Sequence, residues 1–159
     1  MEFQHINFKE SLDLCVQFRR DSFESSFPGS DEWKKYWDEE AYRRWIVEYA
    51  AKFPDGILHA VDGEEIIGQL EFAYGGDVGH VNLFYLKPAM RGMGHGGALH
   101  AHVASVLRSK GCVAATLRAL RVSPTNERAV SFYIKHGWRD LGPDRNYPQV
   151  HVFRVELEH

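Results

Sequence analysis

The order of elements along this chain predicts a single mixed α+β domain, and three observations carry that prediction. The 159 residues are 44% hydrophobic and 26% charged, the composition of one globular domain with an ordinary core. The apolar runs Ile57 to Val61 and Ile66 to Tyr74 flank Asp62-Gly63, a strong short-range hairpin signal. A further run, Gly79 to Leu86, leads past Pro88 through the cluster Arg91-Gly92-Met93-Gly94-His95-Gly96-Gly97 into helical spacing.

The other elements follow in order. A strand is expected at Phe3 to Phe8, then a helix at Ser11 to Arg20, where Leu12, Leu14, Cys15, Val16 and Phe18 are apolar. Asp21 to Asp38 is rich in Ser, Pro, Gly, acids and tryptophan, and Phe27-Pro28-Gly29-Ser30 reads as a break before a second helix at Glu39 to Lys52. After the hairpin, Gly75-Gly76-Asp77 turns the chain into the strand Gly79 to Leu86. A helix over Gly97 to Ser109 places Leu99, Val103, Val106 and Leu107 on one face, with Gly111 beyond its end. Val113 to Val122 reads as a buried strand, Ser123-Pro124-Thr125-Asn126 as a turn and Glu127 to His136 as a helix stopped by Gly137. Strands near Trp138 to Leu141 and Val150 to Val155 complete a domain spanning residues 1–156. Leu157-Glu158-His159 look like the start of a polyhistidine tag and are set outside it.

Bulk chemistry excludes several classes. A formal charge of -3 argues against a basic footprint for long nucleic acid. Cys15 and Cys112 are far apart and lack Cys-x-x-Cys spacing, so neither a metal site nor a redox pair is expected, and a reduced, cytoplasmic setting is the simplest. No run of 18 apolar residues exists, and the first residues lack a basic stretch followed by an apolar one, so neither membrane insertion nor secretion is expected.

The glycine cluster is the chemical centre of the sequence. Glycines between a strand and a helix let successive N–H groups face one concavity, and the helix start adds unpaired donors with partial positive charge. A nucleotide-like anion is the natural guest. A Rossmann turn wants an acid about 20 residues further on; position 111 is Gly, and 114 and 115 are Ala. A P-loop ends in Gly-Lys-Ser/Thr, and here the glycines run into Ala98 and Leu99. Neither context fits.

Two segments together resemble the GCN5-related N-acetyltransferase (GNAT) superfamily. Phe84-Tyr85-Leu86-Lys87-Pro88-Ala89-Met90-Arg91-Gly92-Met93-Gly94-His95-Gly96 matches its acyl-CoA signature, Arg/Gln-x-x-Gly-x-Gly/Ala after a strand. Leu120 to Trp138 resembles its second motif, Asn-x-x-Ala-x-x-x-Tyr followed by Gly and an aromatic, at Asn126, Ala129, Tyr133, Gly137 and Trp138. The resemblance covers nearly the whole chain, most weakly positions 20 to 55. It implies a mostly antiparallel twisted sheet of six to seven strands flanked by about four helices. The fourth and fifth strands would splay apart to admit the pantetheine arm of acetyl-CoA.

On that resemblance, Phe84 and Leu86 would meet the arm as an added strand. Arg91, Gly92, Met93, Gly94, His95, Gly96 and Gly97 would hold the pyrophosphate, with Arg91 adding charge; its alternative is a solvated surface arginine. Asn126 would hydrogen-bond the cofactor arm or, equally, cap the following helix, where Thr125 competes. Tyr133 is the expected acid, giving a proton to the departing thiolate. Near neutral pH an amine is protonated and must lose a proton before it attacks. Alignment through Leu86 and Pro88 places His80 where one branch of the family has a glutamate base, and Glu71 on the preceding strand competes, unless it simply faces solvent. An amide near Leu86 would serve the oxyanion, and Cys112 is disfavoured as a nucleophile at the start of a buried strand.

Asp21, Glu24, Asp31, Glu32, Trp33, Tyr36, Trp37, Asp38, Glu39 and Glu40 would overlie the acceptor and suit a cationic amine, or form a solvated face with Trp33 packed on Trp37. The function implied is acetyl transfer from acetyl-CoA to a primary amine of a small molecule or peptide through a ternary complex. A non-catalytic acyl-CoA sensor is the alternative. Acetyl-CoA is the cosubstrate, no metal, nucleic acid or membrane is expected, and a homodimer is compatible with the reading.

Overall fold

The computed structural model describes residues 1–27, 29–121 and 126–157. Among them seven strands form one open sheet: β1 Glu2–His5, β2 Ile57–Asp62, β3 Glu65–Ala73, β4 Val78–Leu86, β5 Ala114–Leu120, β6 Arg139–Pro143 and β7 Val150–Glu156. Their order is β1-β2-β3-β4-β5-β7-β6, and every neighbouring pair is antiparallel except β4 with β5. The helices are α1 Phe8–Ser26, α2 Glu39–Lys52, α3 His95–Ser109 and α4 Asn126–Lys135.

Helices cover the sheet in two layers. Leu99, Val103, Ala104 and Leu107 of α3 and Val130 of α4 pack with Leu70, Phe72, Val81, Leu117 and Phe153 of the strands to make the main core. On the other face, Cys15 and Val16 of α1 and Tyr42 and Ile46 of α2 enclose Ile57, while Phe18 packs on Leu83 and Tyr85. Alternation along each strand supplies both layers: Leu70 looks toward α3, and its neighbours Gln69 and Glu71 look toward α1 and α2.

Several boundaries move for local reasons. α1 runs on to Ser26, past the expected end at Arg20, because its polar tail is self-bonded: Arg20 pairs with Glu24 at 3.0 Å, and the Ser22 and Ser26 hydroxyls donate to the carbonyls of Arg19 and Ser22. α3 starts at His95, two residues early, because Gly94 supplies a left-handed cap at φ 86°. Leu157 belongs to the domain, contrary to its assignment to a tag: it is 6% exposed in the main core, and its amide donates to Val113 O at 2.8 Å. Pro28, the turn at 123–125 with its competing cap Thr125, and Glu158 and His159 lie outside the described residues.

Candidate functional site

The centre of the sheet comes apart. β4 and β5 pair only from Val78↔Ala114 to Val81↔Leu117. Beyond that level β4 stays with β3 as far as Gly68↔Leu86, and β5 stays with β7 as far as Leu120↔Val150. The stretches 82–86 and 118–120 are therefore bonded on their outer edges and open toward each other, the splay that the sequence leads one to expect.

A bulge sits at the same level. The β3–β4 register slips between Glu71 and Phe72, pairing Glu71 with Leu83 and Phe72 with Val81, so that Asn82 is an inserted residue. In an unbroken strand Val81 and Leu83 would share a face. Here Val81 joins the core under α3, and Leu83 packs on Phe18 of α1.

The strand-end carbonyls of the opening are taken by two residues expected at the cosubstrate. Arg91 Nε donates to Leu86 O at 3.0 Å, and its guanidinium also reaches Asp21 at 3.4 Å and lies over the Tyr85 ring. Asn126 Nδ2 donates to Leu120 O at 2.6 Å. Between Arg91 and α3 the chain bends at Gly92 (φ 77°) and Gly94 (φ 86°), with nothing within 4 Å of where a Cβ would sit. Backbone conformation, not space, requires glycine there. No side chain caps the α3 start, whose first amides stay available to an anion.

Met93 is exposed at the turn, whereas Gly96 is packed: a Cβ on it would meet Phe132 at 2.9 Å. Phe132 precedes Tyr133, so the glycine turn rests directly on α4. The Tyr133 ring lies 5.7 Å from Phe153 and 6.4 Å from Phe84, the latter on the open stretch of β4. Its hydroxyl has no hydrogen-bond partner among the described residues, and burial pushes the phenol up to about 12. It is a protonated donor at neutral pH. Beside it, Trp138 Nε1 donates to His100 Nε2 at 2.8 Å and His136 stacks on His100 at 4.5 Å, a pair held neutral by burial, with the His100 imidazole near 4.

On the opposite face stand His80, Asn82, Thr116 and Arg118. His80 Nδ1 meets Thr116 Oγ1 at 3.1 Å across the β4–β5 pair, which leaves Nε2 to face a reactant. Burial, and then the Arg118 charge, lower its pKa, so the imidazole is neutral near pH 7 and can accept a proton. Asn82 Nδ2 donates to Tyr49 Oη at 2.9 Å. Asn82, Thr116, Tyr49 and Arg118 escape a sequence reading because their meeting depends on register between strands; Asn82 inside an apolar run was the available signal.

Glu71 does not face solvent. It is 0% exposed, ion-paired with Arg19, and accepts from Tyr42 Oη at 2.7 Å and Gln69 Nε2 at 2.8 Å. His59 Nε2 then meets Gln69 Oε1 at 2.9 Å and Cys15 Sγ at 3.5 Å, which closes a buried polar chain. Both Glu71 oxygens are engaged, whereas His80 Nε2 has no hydrogen-bond partner among the described residues.

The acids of the 21–40 segment other than Glu40 are also occupied. Asp21 accepts from Tyr85 Oη at 2.6 Å, Glu24 pairs with Arg20, Asp31 with Lys34, Glu32 with Lys35 and Glu39 with Arg43, while Asp38 caps α2 through Ala41 N. Glu40 shares the outer face of α2 with the exposed Arg44, Val47 and Glu48. Trp33 takes the Arg20 guanidinium, and Trp37 packs between Phe23 and Tyr42, so the two tryptophans go to different partners. Among the described residues no group of three His, Cys, Asp or Glu is placed to hold a metal ion.

Comparison with known proteins agrees with this layout. The model of the acetyltransferase (GNAT) family matches residues 16–138. The PaiA N-acetyltransferase of Thermoplasma acidophilum, solved in complex with coenzyme A, superposes with a TM-score of 0.81 at 20% identity, over 98% of each chain. The ribosomal-protein-alanine N-acetyltransferase of Brucella melitensis gives 0.72 at 14% identity over 99% of this chain and 100% of its own. An aminoglycoside 6'-acetyltransferase type Ii gives 0.71 at 15% identity over 100% and 99%. No curated protein matches the sequence. With the family model spanning both the glycine turn and the Asn126–Trp138 segment, and the sheet opening between them, the chain belongs to the acetyltransferase (GNAT) family.

Proposed function

We propose that the protein transfers the acetyl group of acetyl-CoA directly to a primary amine of a small molecule or peptide. One observation carries the reading: β4 and β5 part at Val81↔Leu117, and the glycine turn and Tyr133 stand at that opening. A peptide-like pantetheine satisfies unpaired strand edges along Phe84 to Leu86 as an added strand. The turn from Arg91 through Gly92, Met93, Gly94, His95, Gly96 and Gly97 receives the pyrophosphate on backbone amides, with Arg91 and Asn126 framing the two strand ends.

Chemistry then divides between the two faces. His80 Nε2 takes the proton of the ammonium, provided Nδ1–H donates to Thr116 Oγ1. The freed amine attacks the thioester carbonyl; as the C–S bond of the adduct breaks, the Tyr133 hydroxyl protonates the departing thiolate, and the second proton leaving the nitrogen goes to solvent, from which Tyr133 is reprotonated. Glu71 holds Arg19 and Tyr42 in place and leaves proton transfer to His80. Direct transfer is supported by the thiols: Cys15 and Cys112 are both 0% exposed, and burial lifts the Cys15 thiol to about 12. Cysteine usage favours a cytoplasmic setting, and among the described residues no helix is long and apolar enough to cross a membrane.

The test is thiol release from acetyl-CoA with single amines, the acetylated amine being identified by mass spectrometry. Amine-dependent release with a matching product is the expected result. Tight acetyl-CoA binding with no product from any amine would instead make the domain an acyl-CoA sensor.

A further inference from the structure

We propose that the acceptor is a monoamine with an aromatic body, which lies against Trp45 and Tyr49; the proposal rests on the transferase reading above. The α2 side of the opening is a run of rings: Trp37 to Tyr42 at 5.5 Å, Tyr42 to Trp45 at 5.9 Å and Trp45 to Tyr49 at 4.3 Å, the last two pairs stacked. This run passes the reacting centre and continues to Phe53, 4.8 Å from Tyr49. Tyr49 Oη accepts from Asn82, the first residue of β4 beyond its last pair with β5. Trp45 and Tyr49 are only half-buried, so ring surface remains open on α2, with Tyr49 tied to Asn82.

Charge selects among amines. A polyamine or aminoglycoside is held by several spaced carboxylates, and on this side Asp21, Glu24, Asp31, Glu32 and Glu39 are already paired while Asp38 caps α2. Glu71, beneath the rings, is neutralised by Arg19. The Arg19 guanidinium lies 5.6 Å from the Tyr42 centroid and 5.7 Å from that of Trp45, so a resident cation already uses their cation–π attraction. Arg118, beside His80, is ion-paired in the same way, with Asp144 at 3.3 Å. Extra ammonium groups on an acceptor therefore find Glu71 and Asp144 already holding a resident cation each. An amine that gives its single proton to His80 leaves a neutral body, and ring stacking is what this wall offers it.

Phenethylamine, spermidine and kanamycin, compared by kcat/KM at saturating acetyl-CoA, provide the kinetic arm. Calorimetric titration of phenethylamine into the CoA-loaded protein provides an arm independent of turnover. Phenethylamine is expected to lead the two polycations by about 100-fold or more in kcat/KM. Trp45→Leu is expected to weaken its binding about tenfold, and Trp45→Phe, which keeps a ring in the stack, to hold it within about threefold, with both variants checked for folding by circular dichroism. Equal or faster acetylation of spermidine or kanamycin overturns the acceptor class while leaving the transferase reading intact. Unweakened phenethylamine binding in a folded Trp45→Leu overturns the role of the wall. No product from any amine, with acetyl-CoA bound, overturns the transferase reading and this acceptor with it.

Discussion

Replacing Glu71 by Gln removes one charge from the least solvated ion pair in the described structure. Glu71 is 0% exposed and the Arg19 side chain 18%, so water can compensate little of the arginine charge left behind. The amide also turns an acceptor into a donor facing Tyr42 Oη, Gln69 Nε2 or Arg19, each of which donates to Glu71. Breaking a buried pair on one side costs about 3–5 kcal/mol. Against a total of about 5–15 kcal/mol this is a large share, and at this chain length it corresponds to a melting point about 6–20 °C lower. Urea unfolding followed by tryptophan fluorescence reads it as a lower midpoint at an unchanged slope. Removing both partners, as Arg19→Met with Glu71→Leu, is expected to recover most of the loss, because an apolar replacement of the pair leaves no orphaned charge. A Glu71→Gln protein within about 0.5 kcal/mol of the parent, the scatter of a neutral surface change, would refute the anchoring role. If that stable variant also lost its acetylation, Glu71 would take the place of His80 as base.

Tyr133→Phe is expected to lower kcat by about 100-fold or more with the acetyl-CoA dissociation constant unchanged, measured by thiol release and calorimetry; an unchanged kcat removes Tyr133 from the acid role. In kcat/KM against pH, the ascending limb assigned to His80 should fall below its ordinary value of 6.5, since burial and Arg118 both disfavour the protonated form. His80→Ala should abolish that limb, and a profile that keeps it rules His80 out. Gly96→Val pushes a side chain into Phe132, 2.9 Å from the position of a Cβ, and should raise the KM for acetyl-CoA about tenfold or more while leaving the KM for the amine unmoved.

Local signals in the sequence located the elements well and the side-chain partnerships poorly. Asp62-Gly63 marked the β2–β3 hairpin, and the expected second helix, Glu39 to Lys52, coincides with α2 because Asp38 caps it and Trp45, Ile46 and Tyr49 repeat on one face. The glycine turn was legible because positive φ and close approach demand glycine itself. What escaped depends on which strand lies beside which, and in what register. The Asn82 bulge exists only relative to Glu71 and Leu83 of the paired strands. Glu71 is indistinguishable from a solvent-facing strand carboxylate until Arg19 and Tyr42, 52 and 29 residues away in sequence, arrive beside it. The 21–40 acids misled in the opposite direction: as a composition they attract a cation, whereas in the fold nearly all are spent on neighbouring side chains and a helix cap. Leu157 was discounted for its place beside Glu158 and His159, although its side chain fills the core under β5.

Amide hydrogen exchange with and without coenzyme A asks directly whether the parted strands are the donor seat. Binding should slow exchange in two separate places, the β4 stretch Leu83 to Leu86 and the turn from Gly92 to Gly97, while β1 and β6 at the sheet edges keep their rates. Saturable coenzyme A binding that leaves both of these stretches unprotected, and slows exchange elsewhere, would contradict the placement of the acyl donor between β4 and β5.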